Sequence, residues 1–209
     1  MEREKYVPFL VLENYEDGST LLLREFLLDD LQIYNYDNVE YPTYYATSYI
    51  DNYLNTEYAN IFSKETFDLI QKTDIEITSL NGLKTHNRET EIISRKIFLL
   101  SATEVRNEFG SLHPREGSEL MYFKHGSMVA YHENGISESW FLRTATSSQD
   151  DAFISVSYDG TVGMGGIKSV AGLARLGIRP AFRISSSIPV ILSSDIVEGQ
   201  EVYIINLNG

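Results

Sequence analysis

Residues 138–153, ESWFLRTATSSQDDAF, hold the only tryptophan of the chain, followed at once by Phe141, Leu142 and Arg143 and then by a small, polar, acidic loop. Three large apolar residues beside one cation suit a β-strand whose apolar face is core. Downstream the period is two: Ala152, Ile154, Val156 and Tyr158 alternate with Phe153, Ser155 and Ser157 before an Asp159-Gly160 turn. That pattern makes Trp140, Phe141 and Leu142 the hinge of a core and leaves SSQDDAF as an exposed loop above it. Arg143, and with it Arg179 in LGIRPAF, is read as a planar cation clamped by carboxylates and carbonyls, because a buried charge must be paired. A ligand-binding arginine pair is the alternative.

Working outward, residues 6–12 and 20–28 are apolar runs on either side of Glu16-Asp17-Gly18-Ser19, a strong hairpin signal. Next comes an acidic, aromatic stretch; ten of the fourteen tyrosines lie before residue 59. Tyrosine at this density offers contact area at low entropic cost, which suits a recognition surface. The preferred reading is that such rings edge a core with their hydroxyls wet. Ser48, with Asp51 three residues on, and Ser63 both read as caps of short helices. Residues 72–98 are β-prone around Asn81-Gly82, which suggests a second hairpin with a long polar loop at THNRETE. IFLLSATEV reads as a buried strand running into a short helix, with Ser101 and Glu104 forming a capping box. Residues 108–138 are loop-rich, 161–167 form a glycine-rich return strand, and the tail supplies two strand candidates around Glu198-Gly199. The pattern is α+β: mostly antiparallel sheet with a few short helices.

With 209 residues, 43% hydrophobic and 22% charged, the chain has ordinary globular composition. One domain is expected over residues 1–184, with 185–209 as a strand extension packed on that domain or on a neighbour. There is no cysteine, so disulfides and thiolate chemistry are excluded. The N-terminal apolar run is too short for a secretory signal, which leads to the expectation of cytoplasmic synthesis without export by that route. No stretch approaches the roughly 20 apolar residues of a membrane-spanning helix. The net charge of −13 is concentrated early: residues 1–80 carry 16 acids against 5 bases. Such a surface repels nucleic-acid phosphates, and no nucleic-acid partner is expected.

Candidate chemistry is sparse. Asp150 and Asp151 could ligate Ca²⁺, the one cofactor the residues leave open, but Glu-Pro-Asn and Trp-Asn-Asp tripeptides are absent. His86, His113, His125 and His132 lack metal-binding spacings, so no metal site is expected. Ser127, His125 or His132, and Glu133 supply triad residue types without a nucleophile elbow. Gly163-x-Gly165 lacks the third glycine of a dinucleotide loop. The chain is therefore read as a non-enzymatic protein.

Three segments together resemble a bacterial and phage family of domains of unknown function. They are TYYATSYIDNYLNTEYANIFSKE, IFLLSATEV, and the pair SWFLRTA and LGIRPAF separated by DAFISVSYDGTVG. Tyr44 and Phe141 stand where that family has tryptophan, and Thr144 where it has serine. Within the pattern, Gly177, Arg179 and Pro180 belong to its Gly-[Val/Ile]-Arg-Pro-Ala element. The Trp-x-Leu-Arg, Asp-Gly turn and Arg-Pro order also resembles the closing half of C-type-lectin-like folds, including formylglycine-generating relatives whose cysteines this chain lacks. These resemblances imply a lectin-like scaffold whose loops carry function. The expected role is a phage or prophage-derived virion component, a tail, baseplate or surface-displayed subunit assembled in the bacterial cytoplasm. It would be oligomeric in its particle and would recognise a host surface or other virion proteins. A bacterial glycan-binding module is the alternative and a cryptic hydrolase the third. Contact candidates are the segment 34–58, with Tyr41, Tyr44, Tyr45 and Tyr49, and the loops 111–119 and 145–151, with His113, Arg115, Asp150 and Asp151.

Overall fold

Asp17 and Gly18 turn the chain where the hairpin pattern requires it. Gly18 takes φ +74°, open to glycine, and Asp17 Oδ1 accepts from the Ser19 amide at 2.9 Å. The strands so joined are β1 (Phe9–Asn14) and β2 (Ser19–Arg24). The computed structural model describes residues 7–36, 39–106, 113–146, 152–164, 174–188, 190–197 and 200–205. In chain order the elements continue with β3 (Gln32–Ile33), α1 (Tyr49–Tyr53), α2 (Lys64–Leu69), β4 (Ile70–Gln71), β5 (Thr73–Thr78), α3 (Leu80–Thr85) and β6 (Thr90–Arg95). They are followed by β7 (Ile97–Phe98), α4 (Ala102–Val105), α5 (Met121–His125), β8 (Trp140–Ala145), β9 (Phe153–Val156) and β10 (Val162–Met164). The last are β11 (Arg175–Leu176), β12 (Ala181–Ser185), β13 (Val190–Val197) and β14 (Gln200–Ile205).

The late strand β12 returns beside the opening hairpin. It pairs antiparallel with β2 on one side and with β4 and β7 on the other, in a sheet ordered β1-β2-β12-β4. β2 lies between two strands, and all six of its residues are buried. β8, β9 and β10 form a second antiparallel sheet, and β5 with β6, β3 with β11, and β13 with β14 form antiparallel pairs. The fold is α+β, with mostly antiparallel strands and a few short helices.

β8 is buried at every position, so both its faces are covered. Phe141 meets Tyr34 and Phe153 at ring-centroid distances of 5.5 and 5.0 Å, while Tyr34 and Phe153 stack at 5.3 Å. Trp140 is fully buried and places its indole N–H on the Met128 carbonyl at 3.0 Å. Beside it, Gly177 runs within backbone reach of β8. Its amide donates to Ser139 at 2.8 Å and its carbonyl accepts from Phe141 at 3.1 Å.

Two local expectations are corrected. Residues 73–95 do form a hairpin of β5 and β6, but Asn81-Gly82 is no turn: both lie in α3, which Ser79 caps by accepting from the Gly82 amide at 2.8 Å. A serine cap three residues before that amide outweighs the turn propensity of Asn-Gly. The segment read as loop-rich between 108 and 138 also holds α5, a helix of five residues without a side-chain cap, which leaves no start signal to read. The strand read in IFLLS is confined to Ile97–Phe98; Leu100 then bonds β8 through its carbonyl, from the Arg143 amide at 2.9 Å. Of the glycine-rich return strand, Val162–Met164 is β10 and residues 165–167 lie outside the described residues, as do Glu198 and Gly199.

Candidate functional site

The capping box at 101–104 aims a carboxylate into the core. Ser101 Oγ accepts from the Glu104 amide at 3.0 Å, and Glu104 Oε2 accepts from the Ser101 amide at 2.8 Å. Both Glu104 oxygens also take Arg143, one from each terminal nitrogen at 2.8 Å. Arg143 further donates from Nε to the Glu76 carbonyl at 2.9 Å and from Nη1 to the Leu99 carbonyl at 2.8 Å. Four bonds from a cation with five N–H groups, 1% exposed, make Arg143 a clamp between β8, β5 and the start of α4.

A second carboxylate completes the cluster. Glu116 is fully buried, and its Oε1 accepts from the Thr78 amide and hydroxyl at 2.6 Å each while Oε2 accepts from Thr144 at 2.6 Å. Arg143 Nε lies 3.8 Å from the same Oε2. Burial pushes the Glu116 carboxyl up, against the pull of Arg143, Thr144 and Thr78. Nothing in HPREGSE signalled this residue. A glutamate in a polar loop reads as solvated until the threonines of β5 and β8 are brought around it. The cluster abuts a cleft of about 490 Å³ lined in part by Arg143, Glu104, Glu76, Tyr15 and Arg183. There the Arg183 guanidinium lies 3.8 Å from the Tyr15 ring, and burial together with Glu13 pushes the Tyr15 hydroxyl up to about 12.

Arg179 is held differently from Arg143. Its Nε donates to the Arg24 carbonyl at 3.1 Å, and its guanidinium lies 5.1 Å from the Trp140 ring. Pro180 continues the contact, its carbonyl accepting from the Arg24 amide at 2.9 Å. Gly177, Arg179 and Pro180 thus tie the last strand of the main sheet to β2 and β8.

The tyrosine-rich segment divides into core and surface. Tyr45 is 1% exposed, with its hydroxyl accepting from the Leu99 amide at 3.0 Å, so as a contact candidate it is corrected to a core residue. Tyr44 is half-buried and donates to Glu91 at 2.7 Å; burial and Glu91 push its hydroxyl up to about 12. Tyr41 adopts φ +56° and receives Lys84 at 5.6 Å from its ring. Tyr49 is the candidate with surface company. Its ring meets Tyr36 at 5.4 Å and Tyr53 at 6.1 Å, and its hydroxyl donates to Gln32 at 3.3 Å. Tyr36 is 52% exposed. The i, i+4 spacing of Tyr49 and Tyr53 on α1 was readable; the addition of Tyr36 from the loop after β3 required the fold.

His113 is buried, its Nδ1 2.6 Å from the Pro114 carbonyl, and burial holds the imidazole below its ordinary value. As a surface contact it is corrected; the neighbouring Arg115 is exposed. Asp150 and Asp151, the calcium candidates, lie outside the described residues. Among the described residues, no group of three or more His, Asp or Glu side chains is placed to hold a metal ion. No described helix is long and apolar enough to cross a membrane.

No curated protein and no solved structure matches the chain. A family model described as Domain of unknown function (DUF6273) matches residues 17–186, from the turn of the opening hairpin to just beyond β12. The chain belongs to that family.

Proposed function

We propose that this domain is a non-enzymatic recognition module for cell-surface carbohydrate, with the Tyr36, Tyr49 and Tyr53 cluster as its binding face. The observation that carries the reading is the contact of these three rings at a surface position, at 5.4 and 6.1 Å. Aromatic faces pack against the apolar C–H faces of sugar rings, while phenol hydroxyls and the Gln32 amide supply polar contacts at the edge. Two roles use such a face: host-surface recognition by a virion component, and glycan binding by a bacterial module. The virion setting, with its cytoplasmic assembly and oligomeric particle, rests on the order of the motifs alone.

The lectin-like architecture belongs to the same proposal. What supports it is β12 returning beside the opening hairpin, with β8, β9 and β10 in a separate antiparallel sheet. Docking onto another particle protein is the competing reading, for which the acidic N-terminal half is the supporting feature.

Co-sedimentation with bacterial envelopes and with purified envelope polysaccharide tests the proposal. Saturable binding that falls at least about tenfold in Tyr36→Ala and Tyr49→Ala is expected, each variant checked for an unchanged thermal transition. Binding to neither material, or binding indifferent to both substitutions, would overturn it.

A further inference from the structure

Apart from the tyrosine cluster, a cavity of about 250 Å³ is lined by Leu10, Glu25, Phe26, Tyr122, Ser127, Val129, Tyr131 and Arg179. Its size is below the roughly 300–1,000 Å³ of pockets for drug-sized ligands, which suits a single small ring. Three features give it chemical direction. Phe26, Tyr122 and Tyr131 supply aromatic surface. Arg179, 3% exposed, supplies a guanidinium held by its Nε on the Arg24 carbonyl and lying over the Trp140 ring at 5.1 Å. Glu25 and Ser127 add acceptors to the same lining.

Charge selects among ligands. The cavity wall carries one cation, Arg179, and one carboxylate, Glu25, and the adjacent Arg24 has Glu133 at 3.9 Å from its Nη2. With cations and carboxylates matched, a ligand that brings a full charge would leave one group uncompensated. A ligand with paired donors and acceptors and an apolar ring face meets no such cost, and vicinal hydroxyls of a sugar have that character. We infer that this cavity binds one neutral pyranose unit, its hydroxyls spanning Arg179 and Glu25 and its C–H face against Tyr122 or Tyr131. This site is separate from the tyrosine cluster on α1 and does not rest on it.

The sole tryptophan provides the readout, since Trp140 lies directly under Arg179. Titrating the full chain with glucose, galactose, mannose and N-acetylglucosamine while following tryptophan fluorescence is expected to give a saturable change for at least one sugar. Tyr131→Ala and Ser127→Ala, both replacing groups at exposed positions, should each weaken that affinity at least about tenfold. Tyr49→Ala should leave it unchanged, so loss of envelope binding in that variant reports only on the surface cluster. No saturable signal for any of the four sugars, or affinity indifferent to Tyr131→Ala and Ser127→Ala, would overturn the assignment. A response to glucuronate exceeding that to every neutral sugar would overturn its charge argument.

Discussion

Arg143 and Glu104 meet through two parallel N–H···O bonds of 2.8 Å, joining the middle of β8 to the first turn of α4. Both partners are committed elsewhere as well, the arginine to the Glu76 and Leu99 carbonyls and the glutamate to the Ser101 amide. Removing the cation would leave the buried Glu116, the partly buried Glu104 and two carbonyls without it. Arg143→Ala is expected to destabilise the fold by roughly 3–5 kcal/mol, the usual cost of breaking a buried pair. Arg143→Lys should recover only part of that loss, because an ammonium cannot reproduce the fork. Chemical denaturation of the three proteins checks the ordering, and an Arg143→Ala transition at the wild-type midpoint would refute the clamp.

Glu116 gives the cluster a pH dependence whose sign follows from its burial. The folded protein binds this proton more tightly than the unfolded chain does. Stability from the group is therefore fully present below the ordinary carboxyl range and is lost as pH rises through the raised folded value. Glu116→Gln cannot titrate. The melting-temperature advantage of the wild type over this variant should be largest in acid and shrink towards neutrality. An advantage that grew with pH would mean that Arg143 and the donors of Thr78 and Thr144 outweigh desolvation.

Gly177 bonds β8 so closely that a side chain has no room. A Cβ there would lie 2.8 Å from Leu27 Cδ2 and 3.2 Å from the Ser139 carbonyl oxygen. Gly177→Ala is expected to cost about 1–3 kcal/mol, as overpacking of a filled core does. The change should also perturb the emission of Trp140, which forms a parallel bridge with Gly177. Wild-type stability and emission together would show that the strands part freely at this point.

Local chemistry made much of this fold readable in advance. The Asp17-Gly18 turn, the serine caps at 48 and 63, the capping box of Ser101 and Glu104, and the Asp159-Gly160 turn depend on residues close in sequence, and all are present. Asn81-Gly82 misled because two local signals competed there, and the Ser79 cap prevailed.

Long-range partners could not be read in this way. Arg143 announced that it needed a counter-charge, since a cation among Trp140, Phe141 and Leu142 cannot stay unpaired in a core. Which acids would answer was settled only when folding brought Glu104 and Glu116 from 39 and 27 residues away in the chain. The tyrosines show the same division. Their number and spacing suggested either a surface or a core edge, and the fold assigned Tyr45 to the interior and Tyr36, Tyr49 and Tyr53 to one partly exposed cluster. Composition and local motifs thus determined the α+β class, the caps and the turns, because those energies act within a few residues. The pairing of buried charges and the grouping of surface rings were decided by tertiary structure, because they depend on distances that only the packed chain defines.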